Sequence, residues 1–317
     1  MIKEQLKFYP MKMCPVYKDY LWGGKNLRSF NKNSDKSVIA ESWEVSCNDD
    51  GLTKIENGLY KNKTLKEVVE TDKINFLGKR ALNNEAFPLI IKLIDAEKDL
   101  SIQVHPSDEK ADKTNGERGK SEFWYIVDCQ KDAHIYYGFN KDITQKEFLD
   151  NLKKNKVCDM LNKIKVKKGE AYYIPAGTIH ALGSGTLVAE IQQNSNTTFR
   201  VYDYNRKDCN GNLRELHIER AKDVLNFNKT IPDEKLKNNF SKFDCKYFKI
   251  NEYDIKETKS FEKNEETFNI IQFIDGNGMI ESNGIEYNFK KGDSFFIAAK
   301  IKNYTIKGYC KVLISEV

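Results

Sequence analysis

The sequence predicts a mainly β protein built from two similar units in tandem, with a small helical insertion. Short apolar runs carry the first part of that reading: FPLIIKLI (87–94), EFWYIVDC (122–129), AHIYYGF (133–139), AYYIPAG (171–177) and TLVAEIQQ (186–193) are rich in β-branched or aromatic residues and bounded by turn residues. An internal repeat carries the second. VKKGEAYYIPAG (166–177) matches FKKGDSFFIAAK (289–300): a basic strand end, Lys-Gly-acidic at a turn, then an aromatic-rich strand. Between the two copies, NFNKTIPDEKLKNNFSK (226–242) is polar and without periodicity, and reads as a linker. The units are therefore placed at residues 1–232 and 243–317.

The helical exceptions follow in chain order. TLKEVVETDKINFLGKRAL (64–82) reads as a helix. So does TQKEFLDNLKKNKVCDML (144–161), where Thr144 and Glu147 have capping-box spacing and Phe148, Leu149 and Leu152 form an apolar stripe. A shorter helix is expected at HIERAKDVL (217–225).

Composition excludes several function classes. Charged residues make up 31% and apolar ones 39% of 317 residues, as in a folded water-soluble chain. Basic and acidic residues are well mixed, so the net charge of +5 forms no stripe for nucleic acid, although it suits an anionic small molecule. No apolar run of signal-peptide or membrane-spanning length occurs. Seven scattered cysteines without a C-x-x-C pair point to reduced thiols and a cytoplasmic location. The oligomeric state is left open.

Four histidines exist, at 105, 134, 180 and 217. His134, in AHIYYGF, and His217, at a helix start, read as structural. His105 closes SIQVHP (101–106), where Ser101, Gln103 and His105 share one strand face and Ile102 and Val104 point the other way. Glu122 enters an otherwise apolar strand, where a buried carboxylate needs a partner. His180 follows the bend Pro-Ala-Gly-Thr (175–178) and begins the returning strand. Taken singly, each of these is a solvated strand end or a structural side chain as readily as a ligand. Together, Gln103, His105, Glu122 and His180 offer two imidazoles and two oxygen donors on one β-unit. Such a set suits a borderline divalent ion, zinc first, with a position left for exchange. In the second repeat the residue corresponding to His180 is Asn303, and no His occurs beyond 217, so that unit is expected to hold no metal.

LSIQVHPSDEKA, GKSEFWYIV, YYIPAGTIHALGSGTLVAEIQQNSNTTFRVYDYNR and RELHIERAKDVL together resemble type I mannose-6-phosphate isomerases of the short bacterial form. WGGKNL (22–27) and ESWEVS (41–46) resemble that family's N-terminal signature. The likeness runs over roughly residues 15–225 and is looser beyond. It implies two tandem cupin-like β-barrels of jelly-roll type and an aldose–ketose isomerase with one zinc per chain. It also implies metal ligation by Gln103, His105, Glu122 and His180. By the same resemblance Arg200 is the active-site arginine, Lys120 lines the sugar-phosphate site and Ser101 binds substrate. The chain departs from longer bacterial relatives at Asn196, where they carry an Asp four residues before the arginine. Lys120, or water on the metal, is then left as the proton carrier. Two rivals remain at this point, an iron cupin oxygenase and a non-catalytic sugar-sensing module. The Gln ligand and the EIQQNS segment argue against the first. The four-ligand set beside Lys120 and Arg200 argues against the second.

Overall fold

The computed structural model describes residues 7–84, 86–207 and 211–317. Three antiparallel sheets carry the molecule. A six-stranded sheet runs in the order Ala171–Ile174, Glu122–Cys129, Thr186–Gln193, Leu89–Ala96, Glu41–Ser46, Val16–Lys18. A five-stranded sheet faces it, in the order Phe199–Tyr202, Ile102–Val104, His180–Leu182, His134–Phe139, Leu161–Lys165. Seven C-terminal strands, with Met11–Cys14 and Lys54–Ile55 at one edge, build a nine-stranded sheet around Asn269–Ser282 and Asn303–Glu316. Each sheet is open at its edges, so the units are sandwich-like, in keeping with the mainly β expectation. The early strand Met11–Cys14 lies in the nine-stranded sheet, paired with Ser294–Ile297.

Strand parity decides which side chains reach the site. In Glu122–Cys129 the even residues Trp124 and Ile126 join the small core between the two N-terminal sheets. The odd residues Phe123, Tyr125 and Val127 join the large core shared with the C-terminal strands. A strand covered on both faces reads as a nearly continuous apolar run, which is why these segments show no clean alternation. The five-stranded sheet is covered in the same way. Ile102, Val104 and Ala181 pack outward under the helices Gln145–Lys153 and Ile218–Val224, while Gln103 faces inward.

The repeat is exact in its hydrogen bonds. Gly169 and Gly292 both adopt φ +89°, a left-handed conformation that favours glycine. Gly169 N–H donates to Ile126 O and Gly292 N–H to Phe273 O. In return Ile126 N–H donates to Glu170 O and Phe273 N–H to Asp293 O.

The helices are shorter than the sequence predicts. Residues 64–82 are broken into Leu65–Glu70, Lys73–Leu77 and a 3₁₀ turn over Lys79–Asn83. Asp72 caps the second piece, and Gly78 at φ +80° ends it. In 144–161 the capping box of Thr144 and Glu147 forms, but the helix stops at Lys153. Asn155 then turns at φ 57°, and Leu161 already begins a strand. The expected linker contains a helix, Glu234–Asn239, with Asp233 as its cap, which its short polar sequence disguised. No helix among the described residues is long and apolar enough to cross a membrane.

Candidate metal centre and substrate pocket

Two local devices bring the QVHP strand and the returning strand together. Gly177, at φ +88°, donates its N–H to His105 O, tying the Pro-Ala-Gly-Thr bend to QVHP. His180 consequently pairs directly across from Gln103. Lys120 precedes its strand, which starts at Glu122, but its N–H donates to Pro106 O and holds it beside His105.

His105, Glu122 and His180 converge with their ligand atoms within 4.8 Å of one another, and each is about 1% exposed. Glu122 Oε1 lies 3.1 Å from His105 Nε2, and Oε2 lies 3.5 Å from His180 Nε2. Gln103 Nε2 is 3.5 Å from His180 Nε2, so its amide borders the same centre. Lys120 Nζ stands 2.8 Å from Glu122 Oε1 and 3.3 Å from His105 Nε2.

Two observations test whether these residues fit a metal. His105 Nδ1 sits 2.9 Å from Thr197 O, and His180 Nδ1 sits 2.8 Å from Thr178 O. A carbonyl can only accept, so each Nδ1 carries the hydrogen and each Nε2 turns a lone pair to the centre. Glu122 is buried, with the Lys120 ammonium beside Oε1 and no hydrogen-bond partner on Oε2. One ammonium leaves a buried carboxylate with lone pairs unfilled on the side that faces both imidazoles. Burial, seconded by Lys120, pushes the His105 pKa down to about 3, so its ring is neutral. Burial lowers His180 likewise. Burial would raise Glu122, but Lys120 and His105 outweigh it and hold the carboxyl well below its usual range. Neutral imidazoles and an ionised carboxylate are the states that ligation needs. The donor set fits.

The centre opens into a cavity of about 300 Å³ lined by Ser101, Gln103, Lys120, Asn196, Arg200 and Arg214, among others. Its far wall was not singled out in the sequence. Trp43, Lys92, Glu190 and Trp124 form one row across the six-stranded sheet. Lys92 Nζ lies 3.4 Å from Glu190 and 3.6 Å from Glu41, while the indoles of Trp43 and Trp124 donate to Glu41 and Glu190. Burial would lower Lys92, yet the carboxylates of Glu41 and Glu190 raise it. Glu190 is raised by burial and by Glu122. The signal was available: Lys92 and Glu190 interrupt apolar strands just as Glu122 does.

Arg200 sits opposite Gln103, which in turn sits opposite His180, so the three form a row on the facing sheet. Its Nη1 donates to Glu215 O, while Nε is buried without a partner. His217 reads as structural in the sequence and caps Ile218–Val224; its Nδ1 accepts the Arg200 N–H at 3.1 Å. His134 is buried outside the site, 3.7 Å from Asp99. Asn196 donates to Asp50, 2.8 Å away, so this amide is backed by a carboxylate. Six cysteines are free, and Cys209 lies outside the described residues.

The chain is similar to known proteins along nearly its whole length. The model of the phosphomannose isomerase type I catalytic domain matches residues 11–121, and that of the mannose-6-phosphate isomerase cupin domain matches residues 237–317. A solved mannose 6-phosphate isomerase from Bacillus subtilis superposes with a TM-score of 0.87 at 35% identity, covering 97% of this chain and 99% of that one. A structure described as a putative mannosephosphate isomerase from Archaeoglobus fulgidus shares the fold, with a TM-score of 0.82 at 21% identity over 96% and 97% of the two chains. Mannose-6-phosphate isomerase ManA of Bacillus subtilis is 37% identical over 97% of this chain and 98% of its own length, and the chain belongs to the type I phosphomannose isomerase family.

Proposed function

We propose that the chain interconverts mannose 6-phosphate and fructose 6-phosphate as a metal-dependent aldose–ketose isomerase, with one zinc per chain. The observation that carries this reading is the buried meeting of His105, Glu122 and His180 behind Gln103 and Lys120, which line a cavity together with Arg200. Gln103 completes the ligand set. Two imidazoles and a carboxylate favour zinc over harder cations, and the amide oxygen is compatible with it. When bound, the ion would supply Lewis-acid polarisation of the sugar's C1/C2 oxygens.

The chain's own residues account for the remainder. The reaction moves a proton between C2 and C1 through an enediolate, so charge develops on an oxygen and must be met by fixed cations. Arg200 supplies one, since a guanidinium stays protonated at any working pH. We assign the proton transfer to Lys120, a reading supported by its closeness to Glu122 and His105. Ser101, buried at the cavity wall, orients a sugar hydroxyl. Asn196 cannot act as a base. The buried walls of Trp124, Ile94 and Leu182 exclude water from the reacting end.

We assign this chemistry to residues 1–232 and read 243–317 as a unit without a metal site. Free thiols at the described cysteines suit a cytoplasmic enzyme. Metal analysis of the purified protein beside an isomerase assay on mannose 6-phosphate tests the reading. One zinc per chain with turnover supports it, and turnover unaffected by exhaustive chelation removes the metal from the mechanism.

A further inference from the structure

Two guanidiniums share one carboxylate at the outer end of the cavity, and a third stands beside them. Asp203, 4% exposed, receives Arg214 Nε at 2.6 Å on Oδ2 and Arg214 Nη2 at 2.5 Å on Oδ1. Arg206 also donates to Oδ1, through Nε at 3.1 Å and through Nη2. Its Nη1 is spent on Asp99 O, and its plane lies 5.3 Å over the Tyr204 ring. All three guanidinium nitrogens of Arg206 are therefore engaged inside the protein. For Arg214 only two are. The side-on pairing with Asp203 occupies Nε and Nη2, and no bond from Nη1 to a described residue is seen. Arg200 adds a third cation, with a buried unpartnered Nε and no ion pair among the described residues. Arginines 200 and 214 both line the cavity, and Arg214 depresses the Arg200 pKa after burial does.

Three guanidiniums stand against the carboxylates of Asp203 and Glu215, so the cluster keeps a net positive charge where guanidinium donors remain unspent. An anion of about two negative charges with several acceptor oxygens relieves both, and a phosphate monoester has that description. Asp203 fixes the plane of Arg214, so its free edge is pre-aimed rather than mobile. Position agrees as well. Arg200 is two strands from His180 through Gln103, roughly 10 Å at the usual strand spacing. The segment carrying Arg214 follows on the other edge of the Arg200 strand, where His217 N–H donates to Arg200 O at 2.8 Å. The cationic end thus lies away from His105, Glu122 and His180, as the phosphate at C6 lies away from the reacting C1 and C2.

We propose that Arg214, held in place by Asp203, anchors the substrate phosphate at the outer end of the cavity, leaving Arg200 between that anchor and the reacting carbons. This inference rests on the sugar-phosphate reading above and adds its specificity determinant.

Kinetics of the full-length zinc-loaded enzyme, wild type against Arg214→Gln and Arg214→Lys, test it together with calorimetric titration of inorganic phosphate. The expected result is a KM for mannose 6-phosphate raised roughly ten- to a hundredfold in Arg214→Gln, the loss of a charge-assisted contact, with kcat changed far less. Phosphate affinity should fall in parallel, and Arg214→Lys should recover part of both. A folded Arg214→Gln enzyme with wild-type KM and wild-type phosphate affinity overturns the proposal. So does a fall in kcat at unchanged KM, which would place Arg214 at the reacting end. If the wild-type chain fails to turn over mannose 6-phosphate, the isomerase reading falls separately, and the phosphate titration still decides the anchor.

Discussion

The two halves of the repeat share a backbone and differ in what their side chains leave unsatisfied. Ile174 pairs with Glu122 in the first unit, and Ile297 pairs with Asn269 in the second. By that register Asn269 stands where Glu122 stands, and Thr267 where Lys120 stands. Asn269 closes on its own neighbours: its amide donates to Phe268 O and Glu316, and its oxygen accepts from the Tyr304 hydroxyl at 3.2 Å. Asn303, at the place of His180 in the repeat, is exposed, and the neighbouring Tyr304 turns inward instead. The first unit keeps a carboxylate that its own hydrogen bonds do not satisfy; the second replaces it with a neutral amide that its neighbours do. The fold alone therefore does not make the site. A metal centre arises where burial, charge and unfilled lone pairs are combined on the same register.

The sharpest way to break this comparison is to empty the first unit. His105→Ala and His180→Ala should each lose the metal, and with it at least about a thousandfold in kcat/KM, while the circular dichroism spectrum persists. Chelation of the wild type should do the same and be reversed by added zinc. Stoichiometric metal and normal turnover in either variant would show that the donor set is wrong.

Arg200→Lys sharpens the division of labour inside the cavity. If Arg200 meets the developing enediolate, kcat should fall roughly a hundredfold, about 3 kcal/mol, with a smaller change in KM. A compact ammonium cannot reproduce two planar donors. Both sugar phosphates should suffer alike, since they share the intermediate. A change confined to KM would move Arg200 to the phosphate end.

Lys92→Met asks how far the polar wall stabilises the first unit. Lys92, nearly fully buried, lies against Glu41 and Glu190, so its removal strands two carboxylates in a poorly hydrated site. Breaking one side of such a cluster typically costs about 3 kcal/mol or more. Urea denaturation reads this directly, and a change below about 1 kcal/mol would mean that water or protons replace the lysine at no cost.

What the sequence made legible follows from the same physics. Strand runs, the repeat and the Thr144 capping box are local patterns, and each has its counterpart in the structure. QVHP and the bend before His180 could be read because alternation and turn residues place side chains before any tertiary contact forms. Helix lengths could not. The pieces of 64–82 end at Asp72 and Gly78, where caps compete with apolar periodicity. Lys92 and Glu190 each stand out in an apolar strand, but only the pairing of the two strands shows that they meet. Arg214 was invisible as a site residue because its partner, Asp203, comes from another segment. A pair across segments leaves no mark on either stretch of sequence.

The smallest effect tests the second unit. Tyr304→Phe removes the hydroxyl that donates to Asn269 Oδ1 and leaves the aromatic packing on Phe261 in place. A buried neutral hydrogen bond at 3.2 Å is worth about 1 kcal/mol, and its loss should appear in the denaturation midpoint alone. Metal content, kcat and KM should match the wild type, because nothing in this pair reaches the cavity around His105. Location is the reason: Tyr304 and Phe268 belong to the large core, which meets the six-stranded sheet on the face opposite Glu122. A fall in kcat without a fall in stability would show that the second unit reports through that sheet into the first. The two halves would then be energetically one site rather than a centre and its support.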